Sequence, residues 1–262
     1  MALTIAGSDS GGGAGIQADL KTFHRFRVFG TSVVTAVTAQ NTRGVVQWSG
    51  VDATLVKAQI DALAADLRPR ALKTGMLGEP SVVHAVACAL RDHQLRPYVM
   101  DPVVIASSGD ALSTPDTLDV MRRELLPLAD IVTPNLGEAE ALVGVPVRDV
   151  DGMHRAARLL VARHGAKAAL ITGGHLDVAE SGNMVVDVWF DGTTAPYAFR
   201  HRRINGPAMH GTGCTLSAAI TARLALGDGP RDAVRRAISY VGRAIRAALP
   251  LGGGARPLNH WA

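Results

Sequence analysis

The sequence predicts an α/β protein with a central, mostly parallel β-sheet flanked by helices on both faces, a three-layer α/β/α architecture. Short apolar runs alternate with segments of helical period throughout the 262 residues, which is the pattern of successive βα units. Several apolar runs are followed at once by polar or glycine-rich residues. In an open parallel sheet such segments meet beyond the carboxyl ends of the strands, so we expect a ligand-binding crevice there.

Six short apolar runs are candidate strands of this sheet. They are Leu3 to Ala6, Ser32 to Thr38, Ala71 to Thr74, Tyr98 to Met100, Ile131 to Thr133 and Ala168 to Thr172. Two further runs, Met184 to Phe190 and Tyr197 to Arg203, are joined through Asp191 and Gly192 and predict an antiparallel hairpin.

Apolar residues at helical spacing predict two helix faces that pack on the sheet. One face comprises Leu55, Val56, Ile60, Leu63 and Leu67, and the other comprises Val234, Ala237, Ile238, Val241 and Ile245. No internal repeat or linker interrupts the pattern, and a chain of this length can bury one large core. We therefore expect a single domain over residues 1–262.

Composition narrows the class of protein. Hydrophobic residues make up 47% and charged residues 19%, as in ordinary soluble domains. No apolar run reaches the ~18 residues of a spanning helix, and Met1 leads directly into a strand, so we expect a cytoplasmic protein without a membrane partner. The net charge is +4, but the basic residues are dispersed and aromatics are scarce, which argues against nucleic-acid binding and favours attraction of small anions.

The segment from His210 to Ser217 is a glycine turn that leads into a helix. Main-chain N–H groups at such a turn have no partner within the helix, so Gly211, Thr212, Gly213 and Cys214 predict an anion cradle. A thiol at a helix N-terminus commonly has its pKa lowered to roughly 3.5–7.5, so Cys214 fits a thiolate, and it fits equally a small buried side chain or a neutral donor. His210 lies four residues upstream, which leaves open a cysteine hydrolase with a Cys/His pair.

The glycine-rich run from Gly11 to Gly15 follows the first strand but matches neither common nucleotide motif. Ile16 and Ala18 occupy the positions where a dinucleotide fingerprint needs its last glycine, and the chain has no Gly-Lys-Ser/Thr triplet of a Walker A loop. A flexible turn and a close approach of main chain to a ligand both remain open.

Several polar residues follow predicted strands. The carboxamide of Gln40 offers a donor and an acceptor side by side, which matches the edge of an aminopyrimidine, whereas Asp19 alone is a weak signal. Asp101 precedes a proline and fits either a turn or a Mg²⁺ site. Asn135 and Glu138 have the spacing of a helix capping box, and the same carboxylate could also hold Mg²⁺.

Seven segments together resemble the hydroxymethylpyrimidine/phosphomethylpyrimidine kinases of thiamine biosynthesis, which belong to the ribokinase superfamily. The long first segment combined with the Gly-Thr-Gly-Cys turn is the specific part of this pattern. The segments are Ala6 to Lys21, Thr38 to Thr42, Lys73 to Met76, Asp101 to Val103, Thr133 to Glu138, Gly173 to His175 and His210 to Ser217.

The resemblance implies a ribokinase-like fold, MgATP as phosphoryl donor, and two successive phosphorylations of 4-amino-5-hydroxymethyl-2-methylpyrimidine. It also implies a homodimer. By position, the pyrimidine pocket would comprise Gly7, Asp19, Gln40, Met76 and Val103. The metal residues would be Asp101 and Glu138, the ATP residues Asn135, Thr172 and Gly174, and the catalytic anion hole Gly211, Thr212, Gly213 and Cys214.

The chain departs from the family pattern at two places. Thr172 stands where family members commonly carry a lysine, and Ala208 and Met209 stand where they carry Asn-Thr. The missing lysine removes an expected phosphate contact. Two alternatives therefore stay open: pyridoxal or pyridoxine kinase activity on the same scaffold, and a catalytically silent relative that binds a pyrimidine.

Overall fold

A nine-stranded sheet forms the centre of the computed structural model, which describes residues 1–104, 109–110, 112–177, 183–193 and 195–262. Its order is β3-β2-β1-β4-β5-β6-β7-β8-β9. Parallel pairing joins the six consecutive strands β2, β1, β4, β5, β6 and β7. The edge strand β3 pairs antiparallel with β2, and β8 pairs antiparallel with both β7 and β9. The bounds are β1 Ala2–Asp9, β2 Gly30–Asn41, β3 Gly44–Gly50, β4 Leu72–Thr74, β5 Tyr98–Met100, β6 Ile131–Val132, β7 Ala169–Ile171, β8 Met184–Phe190 and β9 Tyr197–Arg202.

Helices cover both faces of the sheet. Successive residues of a strand point to opposite faces, and in β5 Met100 packs into one apolar cluster with α3, α5 and α6 while Val99 packs into a second with α7 and α8. The predicted three-layer architecture is therefore confirmed. The helix bounds are α1 Gly15–Arg25, α2 Ala53–Asp66, α3 Pro80–Asp92, α4 Pro115–Val120, α5 Leu136–Val143, α6 Val150–Ala162, α7 Thr212–Ala225 and α8 Pro230–Arg246.

The eight predicted strands are all present, with ends that differ by a few residues, and β8 and β9 form the predicted hairpin. Strand β3 was not predicted. The first half of β2 packs on the core, but the strand continues to Asn41, so Gln40 lies within a strand and not in a segment that follows it. Because β3 is half-buried or exposed along its length, it lacks the apolar alternation that marks a strand in sequence.

The predicted apolar face of α2 is partly wrong. Val56 and Ile60 are fully buried, but Leu55 is 55% exposed and Leu67 lies beyond the helix end. Neighbouring residues are about 100° apart around a helix axis, so Leu55 and Val56 do not share a narrow face. Within the described ranges, no helix has an apolar stretch long enough to cross a bilayer.

Candidate active site

The glycine turn at the start of α7 has the geometry of an anion cradle. Gly211 is the N-cap residue, in the left-handed region with φ +83°, and it has no side chain to cap the helix. The N–H groups of Thr212, Gly213 and Cys214 lie in the first helical turn, where they have no acceptor within the helix. A side chain at Gly213 would meet no described atom within 4 Å, so a ligand can approach the turn from that side.

The glycine-rich loop after β1 packs directly against this turn. A Cβ atom on Gly211 would lie 1.9 Å from the carbonyl oxygen of Gly13, and one on Gly15 would lie 2.4 Å from that of Gly7. The side chain of Asp9 holds the loop, because its carboxylate accepts hydrogen bonds from the N–H groups of Gly11, Gly13 and Ala14. The loop is therefore a constrained segment whose glycines allow main-chain contact within the protein itself.

His210 lies between this loop and the end of β2. It belongs to β10, Met209–His210, which pairs with β11, Arg256–Pro257. The Nε2 atom of His210 is 3.0 Å from Oδ2 of Asp9 and 3.2 Å from Nε2 of Gln40. Among the described residues these are its side-chain partners, so the Cys/His pair of a hydrolase is not formed.

Cys214 does not have the thiolate character expected from its place at a helix N-terminus. Burial and the nearby carboxylates of Asp101 and Asp19 raise the pKa of the Cys214 thiol to about 12, although Lys73 and the N–H group of Gly15 partly oppose this. Desolvation and the neighbouring negative charge therefore favour the alternative that the sequence left open, a small buried side chain. The side chain is a neutral thiol at physiological pH.

Lys73 is a buried cation beneath the cradle that the residue-by-residue sequence analysis did not single out. Its side chain is 0% exposed, and Nζ lies 2.9 Å from Oδ1 of Asp19 and 3.8 Å from Oδ2 of Asp101. Burial alone would lower the pKa of Lys73, but the carboxylates of Asp19 and Asp101 outweigh burial and raise it. Lys73 is therefore charged, and it links β4 to both α1 and the end of β5.

Asp101 and Glu138 form a buried acidic pair next to α7. Ser217 donates a hydrogen bond of 2.9 Å to Oδ2 of Asp101. Burial, together with the charge of Asp101, raises the pKa of Glu138 to about 8. Asn135 and Glu138 also form the complete capping box of α5, so the Glu138 carboxylate both caps the helix and is influenced by the charge of Asp101.

This acidic pair fits a magnesium ion. No group of three or more His, Cys, Asp or Glu side chains that could hold a metal is present in the described part of the chain. Mg²⁺, however, typically takes one or two carboxylates and completes its shell with water and phosphate oxygens. The two carboxylates disfavour each other's ionisation, and a divalent cation would relieve that repulsion.

The residues predicted for the pyrimidine pocket do not all lie at its surface. Gly7 and Met76 are in contact, since a Cβ atom on Gly7 would lie 3.1 Å from the Met76 sulfur, and Val103 packs on the same small apolar cluster. Gln40 lines a cavity of about 260 Å³ together with His210. Asp19 is 0% exposed and bonded to Thr4 and Lys73, so the structure places it below the pocket wall.

The residues predicted to bind ATP lie together at the carboxyl edge of the sheet. Thr172 forms a parallel β-bridge with Asn135, and the Gly174 position is exposed and open. Arg203, which sequence reasoning missed, donates from Nη1 to the carbonyl oxygen of Gly174 at 2.8 Å. A cation therefore lies beside the place where the family lysine is missing, and no local sequence signal marked it.

Comparison with known proteins places the chain among small-molecule kinases. The family model described as phosphomethylpyrimidine kinase matches residues 9–259. A hydroxymethylpyrimidine/phosphomethylpyrimidine kinase of Rhizobium meliloti is 48% identical, over 100% of this chain and 97% of that protein. A thiamine biosynthesis bifunctional protein of Geobacter sulfurreducens is 47% identical over 98% of this chain, which spans about half, 51%, of that longer protein.

Solved structures show the same architecture. Bacillus subtilis pyridoxal kinase in complex with ADP superposes with a TM-score of 0.90 at 37% identity, over 99% of this chain and 96% of that one. Phosphomethylpyrimidine kinase of Clostridium difficile 630 superposes with a TM-score of 0.81 at 40% identity, over 93% of this chain and 98% of that one. The predicted ribokinase-like fold is confirmed by these neighbours.

Removing the buried cation should strongly destabilise the protein. We expect Lys73→Met to lower the free energy of unfolding by about 3–5 kcal/mol, because two buried carboxylates lose their counter-charge. The matched control is Lys57→Met, which breaks an ion pair whose side chains are both 40% exposed, and it should lower the free energy of unfolding far less because solvent screens the pair. Urea unfolding of the three proteins measures this, and equal losses for the two variants would contradict a structural role of the Lys73 charge.

The Cys214 thiol should react slowly with alkylating agents. In a Cys88→Ala background, where Cys214 is the single cysteine, we expect alkylation by iodoacetamide at about pH 7.5 to be more than ~100-fold slower than for cysteine in an unfolded peptide. The rate should keep rising with pH toward about 12, since the thiol ionises there. A rate that levels off near the free-thiol pKa of ~8.5, or a rapid reaction at neutral pH, would contradict a raised pKa of Cys214.

Proposed function

Because the chain belongs to the phosphomethylpyrimidine kinase family, we propose that it phosphorylates 4-amino-5-hydroxymethyl-2-methylpyrimidine with ATP, first to the monophosphate and then to the diphosphate, in thiamine biosynthesis. The observation that carries this proposal is the position of the anion cradle. Its helix bonds to Asp101 through Ser217, and the residue before it, His210, contacts Gln40. A phosphoryl acceptor held at Gln40 and a donor at the acidic pair would therefore meet at one turn.

The cradle supplies what phosphoryl transfer needs. The transferred group passes through a loose, anionic transition state, so positioning and charge stabilisation matter more than covalent chemistry. Main-chain N–H groups of Thr212, Gly213 and Cys214 are held in place by the helix and need no reorganisation. In other enzymes one such preorganised donor contributes about 2.7–4 kcal/mol to the rate.

Asp101 and Glu138 would hold Mg²⁺, which when bound neutralises part of the phosphate charge. Their side chains are fixed before any ligand arrives, since Ser217 bonds Asp101 and the capping box bonds Glu138. The nucleotide would lie along the neighbouring edge, at Asn135, Thr172 and Gly174. Lys73 keeps Asp101 in position from below without facing the donor directly.

Cys214 would act as a neutral member of the cradle. With a thiol pKa of about 12, the thiolate is too rare near neutral pH to serve as the resting base. The side chain can still donate a weak S–H hydrogen bond and fill the space between the cradle and Lys73. The two phosphorylations should then depend on Cys214 to a similar extent.

Pyridoxal phosphorylation by the same site is a second candidate. It is favoured by the close superposition on the Bacillus subtilis pyridoxal kinase. The apolar wall formed by Met76 and Val103 suits either ring, whereas the carboxamide of Gln40 favours the aminopyrimidine.

Mass spectrometry of products tests the proposed activity. Incubation with hydroxymethylpyrimidine and MgATP should add first one and then a second phosphoryl group, and EDTA should abolish both additions. A parallel incubation with pyridoxal reports the second candidate. If neither compound gains mass while the protein remains folded, the chain is a silent relative and the proposal is wrong.

Substitution of Cys214 distinguishes a neutral thiol from a base. We expect Cys214→Ala to lower kcat for the alcohol and for the monophosphate by similar factors, on the order of tenfold, because both reactions use the same cradle. A base would act on the alcohol alone, typically contributing ~10²–10⁴-fold, since the monophosphate is already ionised. A loss confined to the first phosphorylation would therefore contradict the neutral role, and Cys88→Ala provides the unaffected control.

A further inference from the structure

The Nε2 atom of His210 lies close to two groups with opposite hydrogen-bonding needs, a carboxylate and an amide NH₂ group. It lies 3.0 Å from Oδ2 of Asp9 and 3.2 Å from the side-chain nitrogen of Gln40. The side chains of His210 and Asp9 are only 11% and 3% exposed, so water does not mediate these contacts. A single ring nitrogen can either donate or accept, but it cannot serve a carboxylate and an NH₂ group at once.

The charge of Asp9 determines whether the ring nitrogen of His210 donates or accepts. Burial would raise the pKa of Asp9, but hydrogen bonds from His210 and from the N–H groups of Ala14 and Gly11 outweigh burial and lower it. An ionised carboxylate only accepts. The Nε2 atom of His210 therefore carries a proton and donates it to Asp9, which leaves the NH₂ group of Gln40 facing another donor.

The oxygen of the Gln40 amide competes with a second acceptor for the Thr38 hydroxyl hydrogen. This oxygen lies 3.2 Å from the Thr38 hydroxyl, and that hydroxyl lies 3.0 Å from the carbonyl oxygen of Ser8. The Thr38 hydroxyl has one hydrogen and faces two oxygens that can only accept, so it cannot serve both. After a half-turn of the amide, which exchanges its oxygen and nitrogen, the NH₂ group donates to Thr38 and Thr38 donates to Ser8. The single Nε2–H of His210 is then shared between Asp9 and the Gln40 oxygen.

We propose that Asp9 and His210 are positioning residues that hold the Gln40 amide with its carbonyl oxygen toward His210 and its NH₂ group toward Thr38, and thereby set the direction in which an aminopyrimidine binds. His210 holds the amide by donating from Nε2–H to its oxygen, and Asp9 contributes by keeping that proton on Nε2. Neither residue needs to touch the substrate. The consequence for the substrate rests on the proposed function.

The amide orientation determines where the reacting group of the substrate lies. In 4-amino-5-hydroxymethyl-2-methylpyrimidine, ring atom N3 accepts and the 4-amino group donates, so this edge pairs with a carboxamide. With the Gln40 oxygen on the His210 side, the amino group lies on that side too. The hydroxymethyl group, on the next ring carbon, then also lies on the His210 side, and His210 directly precedes Gly211 of the cradle. The reverse amide would turn the methyl group there.

A pair of substrates tests the orientation directly. The 4-oxo analogue of the substrate has the opposite edge, with N3–H as donor and the oxygen as acceptor, so an amide fixed as proposed should discriminate against it. In His210→Leu the amide is free to turn, and we expect the ratio of kcat/KM for the amino over the oxo compound to fall at least about tenfold. KM for the amino compound should rise while KM for ATP stays within about twofold.

Two controls separate positioning from structural damage. His210→Gln keeps a donor that can reach Asp9, and it should restore most of the wild-type ratio. His210→Leu leaves the three main-chain donors of Asp9 in place, so the glycine-rich loop retains its support. A ratio that stays at the wild-type value in His210→Leu, whatever happens to KM, would overturn the inference.

The proton on His210 can be observed without any substrate. In ¹⁵N-labelled wild-type protein, long-range ¹H–¹⁵N correlations of the ring, assigned by comparison with His210→Gln, should show a protonated Nε2. A ring protonated only at Nδ1 would contradict the inference even in an active kinase. If the wild-type protein fails to phosphorylate hydroxymethylpyrimidine, the proposed function fails, while this measurement still decides the amide orientation.

Discussion

Main-chain contact between two glycine segments holds the candidate site together. The carbonyl of Gly13 lies against Gly211, at a distance that no residue with a Cβ atom could tolerate. This contact brings the end of β1 to the start of α7, although the two are about two hundred residues apart in the chain. The anion cradle therefore depends on tertiary packing, because its turn lies against the glycine-rich loop after β1. The side chain of Asp9 holds that loop.

Electrostatics around the cradle follow from that packing. Lys73 balances Asp19 and Asp101 beneath the surface, so the floor of the site contains charges that compensate one another and do not face a ligand. Positive potential toward a ligand comes instead from the helix N-terminus. The charge of Asp101 also disfavours ionisation of Glu138, so a divalent cation bound there would relieve this repulsion, whereas burial above all keeps Cys214 neutral.

Local signals in the sequence predicted local features correctly. The capping box of Asn135 and Glu138 depends on residues three apart, and the short apolar strands depend on consecutive residues, so both could be found from the sequence. The charge state of Cys214 could not, because the carboxylates that raise its pKa come from residues 19 and 101. Lys73 was missed for the same reason, since a lysine between apolar residues does not reveal its distant partners. Strand β3 was missed because it is too exposed to show a pattern.

The Met76 side chain that packs against Gly7 gives this scaffold a deformable wall. An unbranched thioether can change its rotamer to follow the outline of a different ring at little energetic cost. The anion cradle lies on another element, the start of α7, and is unaffected by such a change. A change in the ring that the pocket accepts could therefore be made at this wall alone, without altering the main-chain N–H groups of the turn.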